Sequence, residues 1–163
     1  MAFPRRRRRR WDSQPTDVAG VLLASDGRSN FSTRAVAQAA ALAAESGSAV
    51  AVVTIAKVHG FSLGLPHPGL MPTKAEVQER TKWVESAIST LRHQSIAADG
   101  QVATTRHGMK SIVGIALRRG VKVIVIDGTS ASGVRRVIEG DPGTQLRRKL
   151  RKHSVEVRIV PPQ

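Results

Sequence analysis

The sequence predicts an α/β fold, an open and mainly parallel sheet of five strands with helices on both faces. Two observations predict it. Short apolar-rich runs recur at Val18–Ala24, Ala49–Val58, Val121–Asp127 and Val155–Val160, each bounded by glycine, proline or polar turn residues. Between them lie segments whose apolar residues keep a helical period. Strands that alternate with helices need crossovers, and crossovers give parallel neighbours with helices above and below.

Each element follows from its own residues. Val18–Ala24 ends at the turn signal Ser25-Asp26-Gly27 and suits a strand buried on both faces. Ser29 or Asn30 then caps a helix that runs to about Glu45, with Ala35, Val36, Ala39, Ala40 and Ala43 as its inner stripe. So many alanines imply close packing on a sheet, and Gly47 ends the helix. Ala49–Val58 is the second strand, followed by a long Gly/Pro-rich loop from His59 to Pro72. Thr73 with Glu76 forms a capping box for a helix through roughly Gln94, with Val77, Val84, Ile88 and Leu91 facing inward. Gln101–His107 is shorter and more polar, as expected of an edge strand. Ser111–Arg119 is helical, with Ile112, Ile115 and Ala116 inward and Gly120 closing it. Val121–Asp127 is the fourth strand. A Gly/Ser-rich loop, a basic helix from about Thr144 to Lys152 and a last strand at Val155–Val160 complete the order, and Pro161-Pro162 stops it.

The 163 residues suit one domain, and a hydrophobic content of 40% is enough for a core. Residues 18–163 form that domain. Met1–Asp17 reads as a disordered basic arm, because it joins a run of like charge to Pro4 and Pro15 and has no apolar period. The most apolar stretch, Ala49–Ala56, is far too short to span a bilayer. The polar Trp11-Asp12-Ser13-Gln14-Pro15 after the arginines argues against an export signal, so cytoplasm is the expected compartment. With no cysteine, disulfides, thiolate catalysis and cysteine metal sites are excluded.

Charge narrows the ligands. Lys and Arg number 26 against 12 acidic residues, a net charge of +14. Without the six arginines of the arm the remainder still carries +8. Such a field favours polyanions: nucleotides, nucleic acid or an anionic surface.

In open parallel sheets ligands bind beyond the carboxyl ends of the strands, where the strand order switches. Two segments converge there. One is Ser25-Asp26-Gly27-Arg28-Ser29. The other is the loop after the fourth strand, from Gly128 through Gly143-Thr144, whose glycines let backbone N–H groups approach a phosphate near a helix N-terminus. Arg135, Arg136, Arg147 and Arg148 add positive potential.

These residues carry a resemblance. Gly133, the nine residues VRRVIEGDP and Gly143-Thr144 are similar to the second half of the pattern Gly-x2-Gly-x9-Gly-Ser/Thr of the universal stress protein family. VLLASDGRSNFSTRAVAQAAALA resembles the family's first strand, aspartate turn and first helix. GMKSIVGIALRRGVKVIVID resembles its third helix and fourth strand, and SVEVRIVPP its final strand, so the likeness runs from Val18 to Pro162. The pattern's first glycine falls on Ser130, or else has Gly128 as its counterpart with extra residues before Gly143. Asp141 beside the loop would repel a phosphate unless turned away. The resemblance implies the strand order 3-2-1-4-5 and a site for ATP or another adenine nucleotide, with Mg only where ATP is bound. It implies that Asp26 faces the ribose, that Ile55 contacts the adenine, and that Ser130, Gly133, Gly143 and Thr144 hold the phosphates. It also implies a homodimer formed through Val155–Val160. The ordinary alternatives are a turn-forming Asp26 that caps the first helix, a core Ile55, and turn glycines at 133 and 143.

Other constellations point away from rapid catalysis. The five histidines show no metal-ligand spacing, and no G-x-S-x-G elbow marks a nucleophile. The chain reads as a regulatory nucleotide binder, with slow ATP hydrolysis as the most that is expected of it. A second reading makes it a nucleotide-free relative that docks on a polyanion such as RNA, a ribonucleoprotein or an anionic surface. Arg5, Arg6, Arg7, Arg8, Arg9 and Arg10 would carry that contact with Trp11 beside them, and the basic last helix would assist. The bland alternative for the arm is a solvated tail.

Overall fold

The computed structural model describes residues 18–59, 68–128 and 141–161. Its five strands are β1 (Val21–Ser25), β2 (Val50–Lys57), β3 (Ala98–Thr105), β4 (Val123–Asp127) and β5 (Glu156–Val160). They form one open sheet in the order β3-β2-β1-β4-β5, and every pairing is parallel. The predicted architecture and strand order are both present. The helices are α1 (Thr33–Ser46), α2 (Lys74–His93), α3 (Gly108–Arg118) and α4 (Pro142–Leu150), with a short 3-10 turn at Pro68–Leu70.

All five residues of β1 are buried. Alternation sorts the strands' side chains into two cores. Val21, Leu23, Val50 and Val52 pack with α1 and α2 on one face. Leu22, Ala24, Ala51, Val53 and Ile55 pack with Ile112, Ile115, Leu146 and Leu150 of α3 and α4 on the other. Full burial of Leu22 and Leu23 is worth roughly 1.5–3 kcal/mol each. The predicted alanine stripe of α1 is the observed one: Ala35, Val36, Ala39, Ala40 and Ala43 are its buried residues. The capping box at Thr73 and Glu76 is also present.

Several boundaries shift, each for a local reason. Val18 is 70% exposed and β1 begins only at Val21. The cap of α1 is Ser32, not Ser29 or Asn30, because Ser32 is gripped from across the sheet. Its N–H (2.9 Å) and hydroxyl both donate to the Asp127 carboxylate at the end of β4, while its Oγ accepts from the Ala35 N–H at 3.1 Å. Asn30 instead turns its Oδ1 to the Phe31 N–H at 2.8 Å. β3 is indeed an edge strand but starts at Ala98 rather than Gln101. The polar Asp99 hides in it because Arg119 Nη2 donates to both carboxylate oxygens, at 3.1 and 2.9 Å. α3 starts three residues before the predicted Ser111, and α4 two before Thr144, where Pro142 is preset for a first turn.

Three expectations follow. Ser32→Ala should cost about 1–2 kcal/mol in urea unfolding, since it removes a cap and a donor to a half-buried carboxylate. Ser32→Asp, ordinarily a good cap, should be less stable than Ser32→Asn because it sets a second carboxylate against Asp127. The Thr73 N–H, 2.6 Å from Glu76 Oε2, is the main cause that holds the Glu76 carboxyl below its ordinary range. A lowered value in the folded state gives a contribution present at neutral pH and lost as pH falls through that value. The stability gap between the native chain and Glu76→Gln, from thermal unfolding, should therefore narrow from neutral pH toward about pH 3.

Candidate functional site

A cleft of about 800 Å³ opens beyond the carboxyl ends of β1, β2 and β3, and α4 contributes Pro142, Gln145 and Lys149 to its wall. That volume suits a small-molecule ligand. It lies at the switch point, where β1 sends its neighbours β2 and β4 in opposite directions across the sheet.

The turn after β1 forms the floor. Ser25 Oγ accepts from the Gly27 N–H (3.1 Å) and donates to the Ser29 carbonyl (3.0 Å). Gly27 has φ +83°, and a Cβ there would stand 1.8 Å from the Ile55 carbonyl oxygen. Only glycine fits, for both reasons. Asp26 Oδ1 accepts from the Arg28 N–H at 3.0 Å. Its Oδ2 is shielded from solvent, accepts no hydrogen bond from a described residue and lies 3.3 Å from Arg28 Nε. Asp26 thus shapes the turn and lines the cleft, but it does not cap α1. Ile55 is 2% exposed and also lines the cleft, with its side chain against Gly108 at the start of α3. From the α2 wall, Arg80 Nη2 donates to the Gly27 carbonyl at 2.7 Å while its guanidinium lies 4.7 Å from the centre of the Trp83 ring.

The lining is strongly basic. Among the described lining residues Arg28, Lys57, Arg80, Arg106, Lys110 and Lys149 stand against Asp26 and Glu76, with His59 and His107 among them. The helix N-termini add to this unevenly. Ser32 caps α1, Thr73 with Glu76 caps α2, and Asp141 caps α4. At α3 the cap residue, His107, makes no side-chain hydrogen bond to the first turn. That turn, Gly108 to Lys110, lines the cleft, so its amides and dipole face the same space as the cations.

Sequence reasoning brought Asp26 and Ile55 to this cleft. It missed Arg106, His107 and Lys110, although a strand end running into a helix start was the signal needed. The sequence pattern runs the strand through His107 and starts the helix at Ser111, which hides the turn between them. Ser130 and Gly133 lie outside the described residues, as do Arg5–Arg10. Gly143 is buried, and a Cβ there would meet Ile159 Cδ1 and Cγ1 at 2.4 Å, so it lets α4 lie close on β5. The Thr144 N–H (2.9 Å) and hydroxyl (3.0 Å) both donate to Asp141 Oδ2. Among the described residues no group of three His, Asp or Glu is placed to hold a metal ion, and no helix is long and apolar enough to cross a membrane.

No protein-family model and no curated protein matches the chain. Solved structures do. The chain is similar to the universal stress protein of Archaeoglobus fulgidus, with TM-score 0.61 and 19% identity over 86% of this chain and 97% of that one. The Archaeoglobus fulgidus universal stress protein in complex with dAMP matches with TM-score 0.59 and 20% identity, over 88% and 98% of the two chains. A universal stress protein in complex with cAMP matches with TM-score 0.52 and 17% identity, over 88% and 97%. With a five-stranded parallel sheet in the order 3-2-1-4-5 and a cleft at its switch point, the chain has the fold of the universal stress proteins.

Proposed function

We propose that the protein is a regulatory, stress-responsive binder of ATP or a related adenine nucleotide, held in the cleft at the strand ends. The observation that carries this reading is the lining itself: six Lys and Arg against two acidic residues, around a cavity of nucleotide size. Structures of the same fold in complex with dAMP and cAMP support it. In this reading Asp26 faces the ribose and Ile55 offers an apolar contact to the adenine. The phosphates lie against the first turn of α3, between Arg106 and Lys110. Ser130 and Gly133, outside the described residues, would also hold the phosphates. Gly143 and Thr144 act by setting the start of α4, because their contacts go to Ile159 and Asp141. A Mg ion accompanying ATP would be carried by the phosphates. Among the described lining residues no nucleophile is paired with a base; in this reading the protein signals by occupancy, with slow ATP hydrolysis at most.

Isothermal titration calorimetry tests this. ATP should bind, and Arg106→Gln and Lys110→Gln should each weaken it about ten-fold or more, the scale of a charge-assisted hydrogen bond at roughly 1.5–3 kcal/mol. Absence of heat with ATP, AMP and cAMP at about millimolar concentration, a range in which even a Kd of about 1 mM registers, would sink the proposal. We further propose that two copies pair through the open edge of β5, whose Glu156 and Arg158 are exposed and pair with each other at 2.7 Å. Light scattering should give twice the chain mass. Replacing Ile159 with proline should give the monomer, because its N–H faces the open edge while residues 156, 158 and 160 turn theirs toward β4.

A further inference from the structure

The two faces of the sheet differ sharply in charge. Helices α1 and α2, on one face, carry five Lys and Arg against four Glu. On the other face, α3, α4 and the turn running on to His153 carry seven Lys and Arg and no acidic residue. α3 and α4 pack against each other on this face of the sheet. Three of the seven are engaged elsewhere. Lys110 and Lys149 line the cleft, and Arg147 donates through Nη2 (3.2 Å) and Nε (3.4 Å) to the Val157 carbonyl. The remaining four, Arg118, Arg148, Arg151 and Lys152, are exposed, and none makes an ion pair with a described residue.

Helix electrostatics explain only part of this. Cations in a last turn complement the dipole, which accounts for one or two. Arg148 precedes Arg151 and Lys152 by three and four positions, a spacing at which like charges repel, and no acidic neighbour offsets them. A merely solvated face mixes both signs, as α2 does.

We propose that the α3/α4 face docks on the phosphate backbone of a nucleic-acid duplex, through Arg118, Arg148, Arg151 and Lys152 and apart from the cleft. Three of the four are arginines, whose fork matches phosphate oxygens. A lipid surface is the poorer partner. Leu146 and Leu150, the apolar side of α4, are buried in the core, and Leu117 is the one large apolar side chain exposed among the described residues of these helices. Single strands are poorer too, since neither helix carries an aromatic residue on which a base could stack. Contact limited to phosphates predicts binding without sequence preference.

The test is fluorescence anisotropy of the full chain with a labelled mixed-sequence DNA duplex of about 20 base pairs, titrated across salt. The variant Arg148→Gln/Arg151→Gln/Lys152→Gln should flatten the log–log salt slope by about 3 and weaken binding near 0.1 M salt by roughly 10²-fold. A control that removes the same charge from the opposite face, Arg34→Gln/Lys74→Gln/Lys82→Gln, should leave the slope within about one unit of the native value. The arginine arm is present in all of these chains, so its contribution cancels in the comparison. Arg148→Lys/Arg151→Lys should keep the native slope, which separates lost charge from lost fold. Equal losses in both triple variants, or no loss in either, overturn the proposal. So does a first triple variant that loses binding to phosphatidylserine vesicles while keeping its affinity for the duplex.

Discussion

The structure depends on the burial of β1 on both faces. A strand with no solvent-facing side must have helices above and below and a strand on each edge. Once β1 takes the centre, β2 and β4 pair with opposite edges of it. Their connections then diverge at its carboxyl end, and a crevice opens there without any residue selected for it. The polar turn Ser25-Asp26-Gly27 sits at that point, and the contact of Gly27 with the Ile55 carbonyl fixes how closely the floor approaches β2. Packing makes the site before chemistry does.

Chemistry enters through the unequal treatment of the helix ends. A helix N-terminus exposes unpaired amides, and three of the four among the described elements are satisfied by side chains of this chain. The carboxylate of Asp127 reinforces one of these by holding Ser32, which also ties β4 to α1 across the top of the sheet. The α3 terminus has no such side chain, and it is the one flanked by Arg106 and Lys110 inside the cleft. Positive potential is thereby concentrated at one end of the crevice, beside the buried Ile55.

The fold was legible because two-sided burial writes continuous apolar runs, and the stripes of α1 and α2 write an undisguised helical period. Ser32 was not legible as a cap. Its competitor Asn30 has the same local credentials, and the choice is made by Asp127, 95 residues away. The start of β3 was hidden for a similar reason: Asp99 looks like a turn residue until Arg119 neutralises it. At the site, the Asp26 turn could be placed from a strand end, and Ile55 came from the family resemblance. The basic residues around His107 could not, because their role depends on where α3 begins, and that boundary carries no capping signal. Gly143 shows the converse, a glycine whose spacing suggested a ligand and whose surroundings show a packing demand from Ile159.

The register of β1 also bears on how the chain assembles. Leu22 pairs with Ala51 on one edge but with Ile124 on the other, about a hundred residues later in the chain. At about 5–20 residues per second, a ribosome needs roughly 5–20 s to make that interval. For that time the fully buried central strand has one unpaired edge and half its cover. α1, made next and lying on β1, shields one face early, whereas α3 and β4 arrive only near the end. The feature that gives the mature protein its crevice therefore leaves the nascent chain with a sticky, unfinished centre. Its second edge is closed only once β4 has been made.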